Sequence, residues 1–260
     1  MKNIRFYGNK PYTVAVVHGG PGAPGAMAPV ARELSTMVGV LEPLQTKASL
    51  EGQVQEFHDV LQQYAALPVI LIGHSWGAWL SFITTARYPS LVKKLVLVGS
   101  GAFEQRYAVN IDGDRLNRLT EEERVEVLDL IEIINDPASR DNDKTMSRLG
   151  ALFAKADTYE ALPHRDEALE FNYIINKNVW EEAEELRVSG ELLELGKKIK
   201  CPVVAIHGDY DPHLAEGVRE PLSRVLKDFK FILLQKCGHE PWIERYARDE
   251  FYKILKNELE

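Results

Sequence analysis

The sequence has little cysteine and no long apolar run. Of its 260 residues only Cys201 and Cys237 are cysteines, and their spacing forms neither a disulfide framework nor a C-x-x-C metal or redox motif. Nowhere does an apolar run approach the roughly 18 residues that cross a bilayer. Residues 1–12 contain no apolar signal region. We therefore expect a cytoplasmic protein that has no membrane partner.

Positive charge is also in the minority. The chain has 31 lysine and arginine residues against 39 aspartates and glutamates, and this net charge of −8 argues against nucleic acid as a partner. The acidic excess is local, because residues 103–200 hold 23 acidic and 14 basic side chains. No H-E-x-x-H or similar metal-ligand pattern occurs. We expect no metal and no cofactor.

The strongest local signal is a tight turn between an apolar strand and an apolar helix. Residues 69–72, Val-Ile-Leu-Ile, are typical of a buried strand, and a helix is predicted over residues 78–86. Between them, residues 73–77 read Gly-His-Ser-Trp-Gly. This G-x-S-x-G pattern is a nucleophile elbow, in which glycines permit a turn too tight for side chains and a strained serine presents its hydroxyl. Ser75 is therefore the predicted nucleophile.

A glycine-rich stretch follows another predicted strand, at residues 13–17. Residues 18–25 read His-Gly-Gly-Pro-Gly-Ala-Pro-Gly, a loop whose backbone can approach a ligand closely. The backbone N–H groups of Gly20 and Trp76 are the predicted oxyanion hole. The loop also fits G-x-G-x-x-G, and Glu42 lies about 20 residues further on, as in dinucleotide-binding folds. Its two prolines remove N–H donors, which disfavours the dinucleotide interpretation.

The partners of such a serine are expected late in the chain. A serine nucleophile needs a histidine base and an acid that orients the base, and after an elbow the acid precedes the histidine. Asp211 follows the predicted strand 203–206, and His239 follows the next one, 231–234. Both lie where parallel strands end. We predict Ser75, Asp211 and His239 as the catalytic residues.

Two other carboxylates remain open as the acid. Asp209 lies in the same loop as Asp211, and Glu104 follows an earlier predicted strand. Among the remaining histidines, His207 and His213 flank the acid in sequence. We interpret them as poorer bases, because they precede the acid or nearly touch it along the chain.

Strand and helix patterns alternate in both terminal parts of the chain. Strands are predicted at residues 4–7, 13–17, 38–41, 69–72, 95–98, 203–206 and 231–234. Between residues 103 and 200 the strand signal disappears, and helical patterns occur at 121–135, 144–156, 165–176 and 179–198. We expect an α/β fold with a mostly parallel sheet flanked by helices. Its core domain would comprise residues 1–102 and 201–260, and residues 103–200 would form a helical cap insertion.

Taken together, these motifs resemble the α/β-hydrolase superfamily over nearly the whole chain. His-Gly-Gly-Pro-Gly at residues 18–22 and Ser-Trp-Gly at residues 75–77 look most like its proline iminopeptidase branch. The resemblance implies a cap inserted between the family's sixth and seventh strands, with acidic groups that hold the free amine of a substrate. The chain departs from the family in two places. One or two leading strands are shortened or missing, and residues 41–49 lack the Asp-x-Arg-Gly-x-Gly-x-Ser loop usual in iminopeptidases.

The function expected from these residues is serine hydrolysis. Such an enzyme would cleave an ester or aminoacyl bond of a small-molecule substrate through an acyl-enzyme, in the manner of a carboxylesterase or an aminopeptidase. Two alternatives belong to other classes: a non-catalytic binding protein with a hydrolase fold, and a dinucleotide-dependent oxidoreductase. The sequence does not indicate an oligomeric state.

Overall fold

A seven-stranded sheet forms the centre of the molecule. The computed structural model describes residues 3–136, 138–164 and 171–260. In chain order the strands are β1 (Ile4–Tyr7), β2 (Tyr12–Val17), β3 (Gly39–Pro43), β4 (Val69–His74), β5 (Val92–Val98), β6 (Val203–Gly208) and β7 (Phe229–Leu234). Their spatial order is β1-β3-β2-β4-β5-β6-β7. All neighbours run parallel except β1, which pairs antiparallel with β3 at one edge. The predicted mostly parallel sheet is confirmed.

Helices cover both faces of this sheet. In chain order they are α1 (Ala28–Leu34), α2 (Leu50–Tyr64), α3 (Trp76–Arg87), α4 (Ile111–Asn117), α5 (Glu121–Asn135), α6 (Asn142–Ala156), α7 (Tyr173–Ser189), α8 (Glu191–Glu194), α9 (Glu216–Val225) and α10 (Arg248–Leu259). Short 3₁₀ helices occur at Gln105–Tyr107 and Leu195–Lys198. Helices α1 and α10 pack on one face, and α2, α3 and α9 pack on the other.

The continuous apolar strands are explained by burial on both faces. Successive side chains of a strand point to opposite sides of the sheet. In β4, Ile70 and Ile72 therefore pack in one core layer, which includes Phe251 of α10, whereas Leu71 packs in the other layer, which includes Phe82 of α3. No position of β4 needs to be polar, because all six of its residues are buried. The central strand that carries the elbow is thus fixed from both sides.

The inserted helices lie between β5 and β6. The resemblance placed this insertion between the sixth and seventh strands of the family, and the count is lower here because one strand alone precedes β2 in the described residues. Helices α4 to α6 pack around a small core of their own, which contains Val127 and Leu152. By contrast, Val179 and Ala183 of α7 and Leu192 of α8 belong to the main core. The division into a core domain and a cap at residues 103–200 remains a prediction.

Some helix boundaries differ from the expectation. The single helix predicted at 179–198 is broken at Gly190, whose φ of +83° suits glycine and ends α7. Helix α4 was not predicted, because its seven residues carry a glycine and several polar side chains and so lack an apolar face. The helix predicted at 165–176 falls partly outside the described residues. Within the described part of the chain, no helix is both long and apolar enough to span a membrane.

Candidate active site

The predicted elbow is formed at the junction of β4 and α3. Ser75 has φ +52° and ψ −119°, a combination that non-glycine residues rarely adopt, and it directly precedes the first residue of α3. Its backbone N–H donates to the Val98 carbonyl at 3.0 Å, which ties the turn to the end of β5. The Ser75 side chain is partly exposed. The strand, sharp turn and helix expected around this serine are all present.

Steric crowding explains the two glycines of the elbow. A Cβ atom on Gly73 would lie 2.2 Å from the carbonyl oxygen of Gly77. A Cβ atom on Gly77 would lie 2.2 Å from the carbonyl oxygen of Val17 and 2.5 Å from that of His18. Each contact is with backbone, which cannot move aside as a flexible side chain would. Glycine is therefore required at both positions because β2, β4 and α3 approach one another so closely.

The structure brings Asp211 and His239 together. The Asp211 Oδ2 atom lies 2.8 Å from His239 Nδ1, and Asp211 is buried with 6% of its surface exposed. The alternative acids lie elsewhere. Asp209 is exposed and accepts the Cys237 backbone N–H at 3.1 Å, while Glu104 pairs with arginines at the surface. Of the three candidate acids, Asp211 is the one in contact with the predicted base.

The charge states of this pair follow from their surroundings. Burial raises the pKa of Asp211, but three nearby imidazoles outweigh burial and hold this pKa well below its usual range. Burial lowers the pKa of His239, but the Asp211 carboxylate outweighs burial and raises it above the ordinary 6.5. Because an ionised carboxylate can only accept, His239 Nδ1 donates the hydrogen bond. In neutral His239 the other ring nitrogen, Nε2, is then free to accept a proton.

His74, which precedes Ser75 in the elbow, contacts His239. The His74 Nε2–H donates to the His239 carbonyl at 3.1 Å, and the two ring centroids are 4.6 Å apart. A Cβ atom on Gly19 would lie 3.1 Å from both His74 Nδ1 and the Ser75 Cβ, so the glycine loop adjoins the same point. Among the hydrogen bonds of the described residues, however, none involves the Ser75 hydroxyl. His74, which precedes Ser75, thus contacts His239, and within the described residues no hydrogen bond joins Ser75 to His239.

A further glycine makes room for the acid and the base. Gly99, with φ +49°, follows β5, and a Cβ atom there would lie 2.7 Å from the His239 carbonyl oxygen and 3.4 Å from Asp211 Oδ2. The sequence predicted a strand at 95–98 and indicated no role for the glycine that follows it. Its position directly after β5 was the available signal that it lies near the site, because β5 is adjacent to both β4 and β6.

The glycine-rich loop is fixed from two sides. The Gln45 side chain donates to the His18 carbonyl at 2.9 Å and accepts the Trp76 indole N–H at 2.9 Å, which links the loop to the elbow. From α7, the Asn176 side chain donates to the Pro21 carbonyl at 2.8 Å. Gly20 has φ +110° and Trp76 begins α3. The convergence of their two N–H groups on one oxyanion remains a prediction.

Glu42, the acidic residue at the spacing of dinucleotide-binding folds, lies on β3 and has structural contacts. It is fully buried and accepts the Tyr7 hydroxyl at 2.7 Å, with Arg5 Nη1 at 3.5 Å. Burial, together with the adjacent Glu42 carboxylate, raises the pKa of Tyr7 to about 12. These contacts join β1 to β3 at the sheet edge and thereby give Glu42 a structural role.

One group of side chains has potential metal-ligand atoms that lie close enough together to bind one metal ion. Within the described residues, ligand atoms of Asp211, His213 and His239 all lie within 4.8 Å of one another. Each imidazole Nδ1 is hydrogen-bonded to a different oxygen of the one carboxylate, at 3.0 Å for His213 and 2.8 Å for His239. The group is therefore a hydrogen-bonded arrangement of one acid and two imidazoles.

Sequence reasoning missed the residues that hold the His239 loop. The Glu244 carboxylate is fully buried and accepts the backbone N–H groups of Gly238, Tyr159 and Glu160 at 2.7 to 2.8 Å. The His239 N–H itself donates to the Asp157 carbonyl at 2.9 Å. The loop that carries His239 is thus bound to the segment after α6.

The Asp157 side chain extends this connection. Its carboxylate accepts three hydrogen bonds from Arg115 of α4: Nε donates to Oδ1 at 2.9 Å and to Oδ2 at 3.2 Å, and Nη2 donates to Oδ2 at 2.7 Å. Such a paired geometry is the strong form of an arginine–carboxylate contact. The inserted helices and the candidate base are therefore parts of one hydrogen-bonded structure.

Fold and site together define an α/β hydrolase. Residues 42–246 match the family described as alpha/beta hydrolase fold, and the chain belongs to this family. It is similar to the mouse (Mus musculus) serine hydrolase BPHL, with 23% identity over 210 residues that cover 81% of this chain and 61% of that relative. The chain thus spans less than two thirds of the length of that curated relative.

Solved structures show the same fold. VinJ superposes with a TM-score of 0.67 at 16% identity, covering 98% of this chain and 93% of VinJ. Proline iminopeptidase of Mycobacterium smegmatis superposes with a TM-score of 0.61 at 17% identity, covering 98% and 93%. At such identities the likeness concerns the fold alone. The suspected membership of the α/β-hydrolase superfamily is confirmed.

Proposed function

We propose that the protein is a serine hydrolase that cleaves an ester bond of a small-molecule substrate through an acyl-enzyme. The single observation that carries this proposal is the contact between buried Asp211 and His239. The strained backbone of Ser75 at the end of β4 supports it. An orienting carboxylate, an imidazole base and an exposed hydroxyl are the groups that nucleophilic acyl transfer requires. The similarity to a serine hydrolase in mouse supports the same chemistry.

The proposed reaction proceeds in two halves. The Ser75 Oγ attacks the carbonyl carbon while His239 Nε2 accepts its proton, and Asp211 stabilises the resulting imidazolium. The backbone N–H groups of Gly20 and Trp76 stabilise the oxyanion, and each such donor contributes about 3 kcal/mol. His239 then protonates the leaving alcohol, and water hydrolyses the acyl-enzyme by the same steps. Because the Ser75 hydroxyl makes no hydrogen bond here, its contact with His239 would form when substrate binds.

Two carboxylates of α7 have structural partners. An aminopeptidase needs a free carboxylate near the nucleophile to hold the amine of its substrate. The Glu182 carboxylate instead accepts the Leu50 N–H at the start of α2 at 2.8 Å, and Glu184 pairs with Arg187 at 2.7 Å. These carboxylates stabilise the packing of α7. The acidic excess of residues 103–200 therefore does not by itself support amine binding.

The test compares ester and amide substrates. We expect the wild type to hydrolyse p-nitrophenyl acetate and butyrate, and we expect Ser75→Ala to lose this activity. Hydrolysis of prolyl or alanyl β-naphthylamides would indicate the aminopeptidase alternative. Ser81→Ala is the matched control, because the Ser81 hydroxyl lies buried in α3 without a hydrogen bond in the described residues. Equal inertness of wild type and Ser75→Ala on all four substrates would contradict the proposal and favour a non-catalytic binding protein.

A further inference from the structure

A second imidazole contacts the carboxylate of Asp211. His213 donates to Asp211 Oδ1 twice, from its backbone N–H at 2.9 Å and from its side-chain Nδ1 at 3.0 Å. His239 contacts the other oxygen, Oδ2, at 2.8 Å. The carboxylate therefore lies between two hydrogen-bonded imidazoles, one on each oxygen, and His207 Nε2 lies 3.5 Å from Oδ2. A carboxylate with both oxygens engaged cannot rotate without breaking hydrogen bonds.

The two imidazoles also contact each other. Their ring centroids are 4.8 Å apart and the planes differ by 26°, so the His213 ring is stacked on that of His239. His213 is in turn held by β6, because the His207 Nε2–H donates to the His213 carbonyl at 2.6 Å. His213 is 8% exposed, and its surroundings keep its ring in one place.

The charge of His213 follows from burial. Burial lowers its pKa below the ordinary 6.5, although Asp211 opposes this shift, so the ring is neutral at pH 7. The neighbouring groups that act on the pair come from several elements: His207 at the end of β6, His74 at the end of β4, Arg115 of α4 and Asp157 after α6. A neutral His213 with its proton on Nδ1 acts as a donor and adds no competing positive charge.

We propose that His213 is a positioning residue that holds the Asp211 carboxylate and thereby sets the proton affinity of His239. The inference rests on the proposed function, in which His239 is the base. By donating to Oδ1, His213 draws negative charge toward that oxygen and away from Oδ2. Loss of this donor leaves more negative charge on Oδ2, where it stabilises the imidazolium form of His239. Removal of the donor therefore raises the pKa of His239 and lowers the rate at neutral pH.

Two substitutions separate the effect of the side-chain donor from that of the stacked ring. His213→Asn keeps an N–H donor bonded to Cγ, at the position of Nδ1, but removes the ring. His213→Phe keeps an aromatic ring for stacking and keeps the backbone N–H donor, but it removes the side-chain donor. His213→Gln, which moves the donor one bond further away, serves in place of His213→Phe should that variant not fold. His58→Asn and His58→Phe on α2 are the matched controls, because His58 contacts Asp59 and Tyr88 and lies outside the site.

The primary readout is the NMR titration of His239, recorded in a Ser75→Ala background and assigned from the resonance lost in His239→Gln. It measures the proton affinity of the base whether or not Ser75 turns over a substrate, so failure of this inference and failure of the proposed function are separate results. We expect His213→Phe to raise the midpoint by about 0.5 pH unit or more, and His213→Asn to leave it near the wild-type value. With Ser75 restored, kcat of His213→Phe at neutral pH should fall up to about threefold, because a rise of about 0.5 pH unit lowers the fraction of neutral His239 by that factor, while KM stays constant.

Two results would overturn the inference. If neither variant moves the titration midpoint and kcat falls by the same factor at every pH, His213 is only a packing residue. If His213→Asn moves the midpoint as far as His213→Phe or further, loss of the Nδ1 donor is not what acts on His239. A shift in His213→Phe that is absent from His213→Asn and from both His58 variants supports it.

Discussion

At the scale of single residues, the Asp211 carboxylate sets the pH range in which His239 could act as the proposed base. His239 must be neutral to accept a proton, and Asp211 raises its pKa above 6.5. The kcat/KM of the wild type should therefore increase with pH through a midpoint above 6.5. In Asp211→Asn the effect of burial remains while that of the carboxylate is lost. We expect the midpoint to move to lower pH and kcat to fall about 10³- to 10⁴-fold.

The pH–rate profile of Asp209→Asn is the control for that substitution. Asp209 is exposed and contacts the Cys237 backbone, so its loss should leave the midpoint in place. Equal shifts in the two variants would contradict the assignment of Asp211 as the orienting acid. A shift in Asp209→Asn alone would make Asp209 the acid, the alternative that the sequence left open.

At the scale of elements, the close approach of β2, β4 and α3 depends on Gly77. An alanine there would place its Cβ 2.2 Å from the Val17 carbonyl oxygen. We expect Gly77→Ala to lower the free energy of unfolding by about 3 kcal/mol or more, because backbone must shift. The matched control is Gly150→Ala in the interior of α6, where a Cβ would meet nothing within 4 Å. That substitution should raise the free energy of unfolding by about 0.5–1 kcal/mol.

Chemical denaturation of the two glycine variants checks this prediction. Comparable stabilities of Gly77→Ala and the wild type would show that β2 and α3 can separate at the elbow without cost. The close packing described for the turn would then be wrong.

The loop after β7 depends on Glu244 for its position. Its carboxylate accepts three backbone N–H groups, one beside His239 and two from the segment after α6. Glu244→Gln replaces one acceptor oxygen by an amide that cannot accept, and removes the charge from the remaining bonds. We expect a loss of about 2–3 kcal/mol in the free energy of unfolding and a lower kcat. Exposed Glu250 of α10 provides the control, and Glu250→Gln should change stability by less than about 0.5 kcal/mol.

Denaturant titration and ester hydrolysis measure these two effects of Glu244→Gln. If Glu244→Gln and Glu250→Gln both behaved like the wild type, the link between the inserted helices and the His239 loop would contribute neither to stability nor to catalysis.

The elements that the sequence predicted well are those with local signals. The strands around residues 69–72 and 203–206 were recognised because burial on both faces leaves a continuous apolar run. The helix predicted at 121–135 is present as α5, and a capping box formed by Thr120 and Glu123 begins it. Helix α4 carries no such pattern and was missed.

The supporting residues of the site could not be predicted for a different reason. Glu244 binds the backbone some 85 positions away in sequence, and Arg115 binds Asp157 about 42 positions away. Neither residue stands in a motif, and only the packing of α4 and α6 against the loop after β7 reveals their partners. His213 was judged only as a candidate base, because its contact with Asp211 depends on the folded geometry of the loop.

At the scale of the whole molecule, the inserted helices divide into two groups. Helices α4 to α6 share a small separate core, whereas α7 and α8 belong to the main core beside α2 and α3. Less buried apolar area implies a lower free energy of local opening. We expect backbone amides of α5 to exchange with deuterium faster than those of α7 under native conditions. Equal protection of the two helices, measured by hydrogen exchange and mass spectrometry, would contradict this division.

The central claim is that Ser75 is a nucleophile activated by His239. The most direct measurement is covalent labelling with a fluorophosphonate, in which the serine oxygen displaces fluoride at phosphorus and the adduct is located by peptide mass spectrometry. We expect one adduct per chain, on Ser75, with labelling abolished in Ser75→Ala and retained in Ser81→Ala. Labelling should slow at least about 100-fold in His239→Ala. An absence of adduct on Ser75, or equal labelling of wild type and Ser75→Ala, would contradict the account.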